Sequence, residues 1–158
     1  ELDIDWGDYP FVTSSHCTAA GALLNAIPPT WVRDVWGVGK IYETYVGAKS
    51  FEPDDPIFSH LSDIGEEYAA TTGRPRQCNW LNLDKLNKAI SVNGVNRLVL
   101  NKLDVLRSLE KWALFNDSQL IHFDNENQMK TFVTEQLMDR DNNKTPLEIY
   151  FSDRKDRI

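Results

Sequence analysis

The sequence predicts an α/β fold, and three observations carry that expectation. Runs rich in β-branched and aromatic residues alternate with runs whose apolar positions recur at helical spacing, the order that builds a sheet flanked by helices. The 158 residues are the size of one ordinary domain, and no internal repeat or low-complexity segment divides them. Hydrophobic content of 41% and charged content of 26% are those of a soluble globular chain able to bury a core.

Taken in order, ELDIDWGDYPFV alternates Leu2, Ile4 and Trp6 with Asp3 and Asp5 before a Gly-Asp turn, which predicts a strand entering a loop. TSSHCT then leads into AAGALLNA, a small-residue helix that Ser14 or Ser15 can cap and that ends before Pro28 and Pro29; hydroxyls gathered at its start suit a phosphate. WVRDVWGVGKIYETYVG carries Val32, Val35, Val38, Ile41, Tyr42, Tyr45 and Val46, a long or bent strand broken at Gly37 and Gly39. SFEPDDP is a loop and IFSHLSDIGEEYAA a short helix. LDKLNKAISVNG puts Leu83, Leu86 and Ile90 on one helical face, and Gly94 closes that helix. VNRLVLNKLDVL is an apolar strand running into Asn101, Lys102 and Asp104. SLEKWALF reads as a strand, ENQMKTFVTEQLMD as a helix, RDNNKT as a turn and PLEIYF as a final strand.

Bulk properties exclude several classes of function. No apolar run approaches the roughly 20 residues of a membrane span. A formal net charge of -7 argues against the broad basic face that nucleic-acid binding needs, so a phosphate-bearing partner is expected to be small. The N-terminus lacks a signal-peptide pattern, and Cys17 and Cys78 form no disulfide or zinc framework, which points to a reducing, cytoplasmic setting.

Against that acidic background, AATTGRPRQCNW at residues 69–80 places two arginines around a proline. Pro75 lacks an amide donor and biases Arg74 toward extended geometry, so the loop is held open. Each guanidinium offers a planar fork suited to a carboxylate or a phosphate, and Thr71, Thr72 and the Gly73 amide add donors. The same residues also suit a solvated surface turn.

LDIDWGDYPFVTSS, KIYETYVG, TTGRPR, WLNLDKL and NKLDVL, in that order, resemble the C-terminal half of adenylosuccinate synthetase, from Leu2 to Leu106. Beyond Arg107 the likeness thins to a final strand and SDRKDRI, which looks like an altered form of the family's closing nucleotide-base loop. The resemblance implies the C-terminal portion of a P-loop-NTPase-like mixed sheet flanked by helices. It implies a carbon-nitrogen ligase that joins L-aspartate to the 6-position of a purine nucleoside monophosphate with a nucleoside triphosphate and Mg2+. Thr71, Thr72, Gly73, Arg74 and Arg76 correspond to the aspartate loop. Thr13, Val46 and Arg74 correspond to monophosphate contacts, and Arg76, Lys102, Leu103 and Asp104 to the triphosphate side. Thr13 also suits a helix cap, and Val46 a packing role.

A carboxylate at the end of a buried strand accepts the N1–H and exocyclic amine of guanine, and a lysine stem covers a purine face, so Asp104 and Lys102 favour GTP; Asp104 also suits a turn cap. The family's glycine-rich phosphate loop, catalytic aspartate and catalytic histidine belong to the N-terminal half. The sequence has no Gly-x-x-x-x-Gly-Lys segment, and His16, His60 and His122 match no catalytic motif. The expectation is therefore half an active site, with no catalytic or metal-binding residue of its own, Mg2+ held by the other half, and a homodimer when complete. HCTAA, KSFEPDD and the short tail depart from the family pattern and resemble short forms such as the phage branch, in which dGMP replaces IMP and ATP can replace GTP. A non-catalytic nucleotide-binding or interaction module derived from the same fold is the alternative.

Overall fold

The computed structural model describes residues 3–140 and 146–153. The elements are α1 (Ala20–Leu24), a 3-10 turn (Pro29–Trp31), β1 (Trp36–Lys40), β2 (Tyr42–Tyr45), α2 (Pro56–Gly65), β3 (Gln77–Asn82), α3 (Leu83–Asn93), β4 (Arg97–Asn101), α4 (Leu103–Leu109), β5 (Trp112–Asn116), β6 (Gln119–Phe123), α5 (Glu126–Arg140) and β7 (Glu148–Phe151). The α/β class holds, with the strands in two sheets. One is parallel, in the order β1-β4-β7; the other is mixed, in the order β2-β3-β5-β6, with only β3 and β5 parallel.

Ile41 is where the chain changes sheet. Its amide donates to Asn101 O at 3.0 Å, extending the β1–β4 ladder, and Tyr42 then pairs with Trp80 in the mixed sheet. The break expected at Gly37 and Gly39 therefore falls at Ile41, and both glycines lie inside β1. At Gly37 the reason is space, since a Cβ there would meet Val95 Cγ1 at 3.0 Å.

The strand expected over residues 1–12 is not formed from Asp3 onward. The Asp3 carboxylate accepts from Trp6 N at 3.2 Å and its carbonyl from Gly7 N at 2.8 Å, a local turn that outcompetes pairing. Ser14 and Ser15 do not cap the first helix either. It begins at Ala20, has no side-chain cap, and its preceding amide at Ala19 donates to the distant Asn93 Oδ1 at 2.8 Å.

Later elements follow their local chemistry. Asp55 caps α2 by accepting from Ile57 N at 2.9 Å, and Pro56 sits in the first turn where its missing donor costs nothing. This helix ends at Gly65, short of the expected 70. Asn82 caps α3 through Lys85 N, and Gly94 takes the left-handed conformation that ends it. Two strands and a helix went unread: β3, whose half-polar run looked like loop; α4, read as the end of a strand; and β6, joined to β5 by Asp117 and Ser118, both with positive φ. The RDNNKT turn, apart from Arg140, and most of the SDRKDRI tail lie outside the described residues.

The core lies between the sheets and α2 to α5, with Leu98, Leu100, Leu106, Leu114 and Val133 almost wholly buried. No described helix is long and apolar enough to cross a membrane.

Candidate functional site

The arginine loop is a curled hairpin tip. A bridge between Tyr68 and Pro75 closes it, with Ala69 N donating to Arg74 O at 2.9 Å and Gly73 N to Ala69 O at 2.8 Å. Gly73 has φ +64 with open space around it, so glycine is needed for the left-handed backbone. The loop is therefore less open than its proline suggested. Thr71, Thr72, Gly73 and Arg74 are exposed at the tip, and Arg74 N donates to Thr72 Oγ1 at 3.4 Å.

Arg76 turns the other way. Its Nη1 donates to Glu67 Oε2 at 2.9 Å, and its backbone amide donates to Glu67 O at 2.9 Å. Glu67, only 1% exposed, also accepts from Lys40 Nζ at 2.6 Å and, on Oε1, from the Tyr42 hydroxyl at 2.6 Å. Three donors on one buried carboxylate make it a charged hub. Burial pushes the Glu67 carboxyl up. The hydrogen bonds from Lys40 and Tyr42, the charge of Lys40 and the hydrogen bond from Arg76 outweigh it and hold the group below the usual carboxylate range. Burial, then Glu67, push the Tyr42 hydroxyl far up, which keeps it a donor. Gly65 makes room for the hub, because a Cβ there would lie 2.5 Å from the Tyr42 hydroxyl. Glu67 was not singled out from the sequence; the only local hint is an acidic pair, Glu66 and Glu67, before a cationic loop.

The residues expected on the triphosphate side meet the same segment. Lys102, at φ +68, donates Nζ to Gly65 O at 2.8 Å. Leu103 is buried. Asp104 is exposed in the first turn of α4, whose cap position is Lys102, so it does not stand at the end of a buried strand as expected. Arg76 and Lys102 are thus anchored two residues apart, at Glu67 and Gly65.

Thr13 and Val46 do not line the site of the arginine loop and stand in sequence beside residues that line a different feature. A cleft of about 530 Å³ is lined by Trp6, Phe11, Lys40, Tyr42, Tyr45, Lys49, Phe51, Lys85 and Lys88, among others. Lys49 Nζ lies 5.5 Å from the centre of the Phe11 ring and Lys85 Nζ 5.5 Å from that of Phe51, so cations and aromatic faces alternate on its wall. Thr13 follows Phe11 by two residues and Val46 follows Tyr45. The Thr13 hydroxyl lies 3.4 Å from that of Ser15, and it does not cap a helix. Val46 is 45% exposed just past β2, which overturns a mainly packing role. Lys40 and Tyr42 belong both to this cleft and to the Glu67 hub and are its link to the arginine loop. Asp8 and Glu43 also line the cleft, and Glu43 Oε2 pairs with Lys85 Nζ at 3.3 Å, so the wall offers a flat ligand aromatic faces and charges of both signs.

His16, His60 and His122 are exposed. Among the described residues no three His, Cys, Asp or Glu side chains gather as a metal site.

A family model for adenylosuccinate synthetase matches residues 1–140. The chain belongs to the adenylosuccinate synthetase family. The match runs past Leu106, where the likeness read from motifs thinned. The adenylosuccinate synthetase of Halothermothrix orenii is 49% identical over 113 residues, covering 70% of this chain and 26% of that protein. That of Monosiga brevicollis is 46% identical over 112 residues, covering 69% and 26%. The chain thus spans about a quarter of the length of the curated synthetases it matches. The structure of the fully ligated synthetase from Plasmodium falciparum superposes with a TM-score of 0.68 at 36% identity, covering 79% of this chain and 32% of that one. The succinoaminodeoxyadenylate synthetase of cyanophage S-2L, bound to dGMP and dATP, gives 0.52 at 18% identity over 86% of this chain and 47% of that one, a likeness of fold.

Proposed function

We propose that this chain supplies the aspartate loop and the nucleotide-base side of a purine-nucleotide:L-aspartate ligase, the C-terminal portion of a synthetase whose phosphate loop and catalytic base come from an N-terminal portion. The observation that carries the reading is the pair of differently held arginines. Arg76 is fixed by Glu67 beside a lysine-lined cleft, and Arg74 is free in direction at the tip of the same loop.

The reaction moves a phosphoryl group onto the purine 6-oxygen and then displaces it with the aspartate amine. Positioning and charge neutralisation dominate the first step. The second sets a dicarboxylate beside a nucleotide, and the arginine loop offsets that repulsion within an acidic protein. In this reading Arg74, Arg76, Thr71, Thr72 and the Gly73 amide take aspartate, with Arg74 also reaching the ribose and Arg76 the triphosphate. Thr13 takes the monophosphate and Val46 contacts its ribose. The exposed Asp104 carboxylate reads guanine, with the stem of Lys102 beside it, which favours GTP over ATP. Mg2+ supplies charge neutralisation at the triphosphate and is held by the N-terminal portion. Identity of 44–49% to synthetases of cellular organisms, against 18% to the phage enzyme, supports IMP as the acceptor. A cytoplasmic homodimer is the expected complete form.

Ligation assays on the 158-residue chain alone, and on the complete synthetase or the chain mixed with an N-terminal half, test the reading. The expected result is no adduct from the chain alone and a succinyl-purine adduct from the complete enzyme with IMP and GTP. Turnover by the chain alone overturns the half-site reading, and a complete enzyme that binds nucleotide without ligating aspartate favours a binding module.

A further inference from the structure

The segment after Val46 is held by side chains of β3. Gln77 Oε1 accepts from Phe51 N at 2.8 Å and Glu52 N at 3.2 Å, and Gln77 Nε2 donates to Lys49 O at 2.8 Å and Gly47 O at 3.2 Å. The oxygen faces two amides and the nitrogen two carbonyls, so the partners fix which way the amide points. Asn79 Nδ2 donates to Phe51 O at 2.9 Å, and Glu52 Oε2 accepts from Cys78 N at 2.6 Å. Lys49 and Phe51, whose backbones Gln77 holds, both line the cleft. Gln77 also directly follows Arg76, whose guanidinium is fixed separately by Glu67. Two neighbouring residues thus serve two different walls.

We propose that Gln77 is a positioning residue that clamps the 47–52 segment, and so sets how tightly the cleft holds a purine monophosphate, while the aspartate loop is held by a separate set of bonds through Glu67. The clamp stands on its own geometry; the identity of the ligand rests on the ligase reading above. Replacement by alanine removes all four bonds. Gln77→Glu keeps the acceptors for Phe51 and Glu52 but turns a carboxylate oxygen toward the carbonyls of Gly47 and Lys49, so it should do more harm than alanine at neutral pH and recover on acidification, when the protonated acid again donates.

Two measurements test this. Amide exchange on the 158-residue chain should speed up by about tenfold at Phe51 and Glu52 in Gln77→Ala, with β4 amides unchanged. In the complete synthetase the monophosphate KM should rise about fivefold in Gln77→Ala and more in Gln77→Glu, with kcat and the aspartate KM within about twofold of the parent. Unchanged exchange at Phe51 and Glu52 rejects the clamp whatever the protein does. A parent enzyme that does not ligate aspartate rejects the ligase reading and the assigned ligand, even with the clamp intact. An active parent whose variants keep its monophosphate KM, or raise both KM values together, rejects the positioning role.

Discussion

The region before Ile41 and the region after it are built differently. Among the described residues every apolar side chain of the buried core lies at Ile41 or beyond, whereas Ile4, Trp6, Tyr9, Trp31, Trp36 and Val38 are all exposed. Val38 and Trp36 lie on β1, an edge strand of a parallel sheet, and such sheets are ordinarily covered on both faces. The later region is a packed unit. The earlier one is held by the β1–β4 ladder and, ahead of β1, by long-range polar ties such as Lys88 Nζ to the Trp6 carbonyl at 2.9 Å and the Ala19 amide to Asn93. The contrast teaches that folding and site-building are divided: the later region, joined by Lys40 at the end of β1, fixes the arginine loop, and the earlier one presents exposed apolar surface.

The largest expected effect separates the two regions directly. Leu100→Ala or Leu114→Ala removes a fully buried side chain and should cost about 2–5 kcal/mol in denaturant melts. Trp31→Ser, at a side chain 76% exposed, should change stability by less than about 0.5 kcal/mol and should lower self-association seen by sedimentation. Equal losses in the two regions would dissolve the contrast.

Glu67 comes next, since it ties the end of β1 to the arginine loop. Glu67→Gln should cost about 1–3 kcal/mol, because Lys40 and Arg76 lose a charged partner but keep some access to water. Folding holds the Glu67 carboxyl below its unfolded value. Its stabilisation is therefore complete above the ordinary carboxylate range and is lost as pH falls through the folded value. Melts across acid pH should show the parent losing this share of stability and Glu67→Gln lacking the dependence.

The smallest effect is chemical. Cys17 is exposed in the earlier region, and Cys78 is buried in β3 with its thiol pushed up to about 12 by burial, then by Glu67 and Glu52. A thiol reagent at neutral pH should modify Cys17 in the folded chain and Cys78 only after unfolding. Prompt reaction at Cys78 would mean that the later region opens readily.

What the sequence made legible divides along physical lines. The α3 helix was readable because Leu83, Leu86 and Ile90 repeat at helical spacing and Gly94 marks its end. The fold class was readable from alternation, and the arginine loop from composition alone. By contrast, β3 was missed although buried Cys78 and Trp80 alternate with Gln77 and Asn79, because Gly73 and Pro75 just before it carry the reading of a loop on through Trp80. The first segment misled because Asp3 makes a turn out of an alternating pattern. Glu67 was invisible for a different reason: its partners Lys40 and Tyr42 lie 27 and 25 residues away, and only folding brings them together.

The central claim is that Arg76, held by Glu67, receives aspartate. Steady-state kinetics of the complete synthetase, with aspartate varied at saturating nucleotide, test it in Arg76→Leu and Glu67→Gln alongside thermal melts. Loss of a charged partner should lower kcat/KM for aspartate by about 2–4 kcal/mol in Arg76→Leu, with the monophosphate KM nearly unchanged, and by less in Glu67→Gln. Folded variants that keep the parent's aspartate KM and turnover would contradict the account, and the loop would then be a solvated turn pinned to a structural carboxylate.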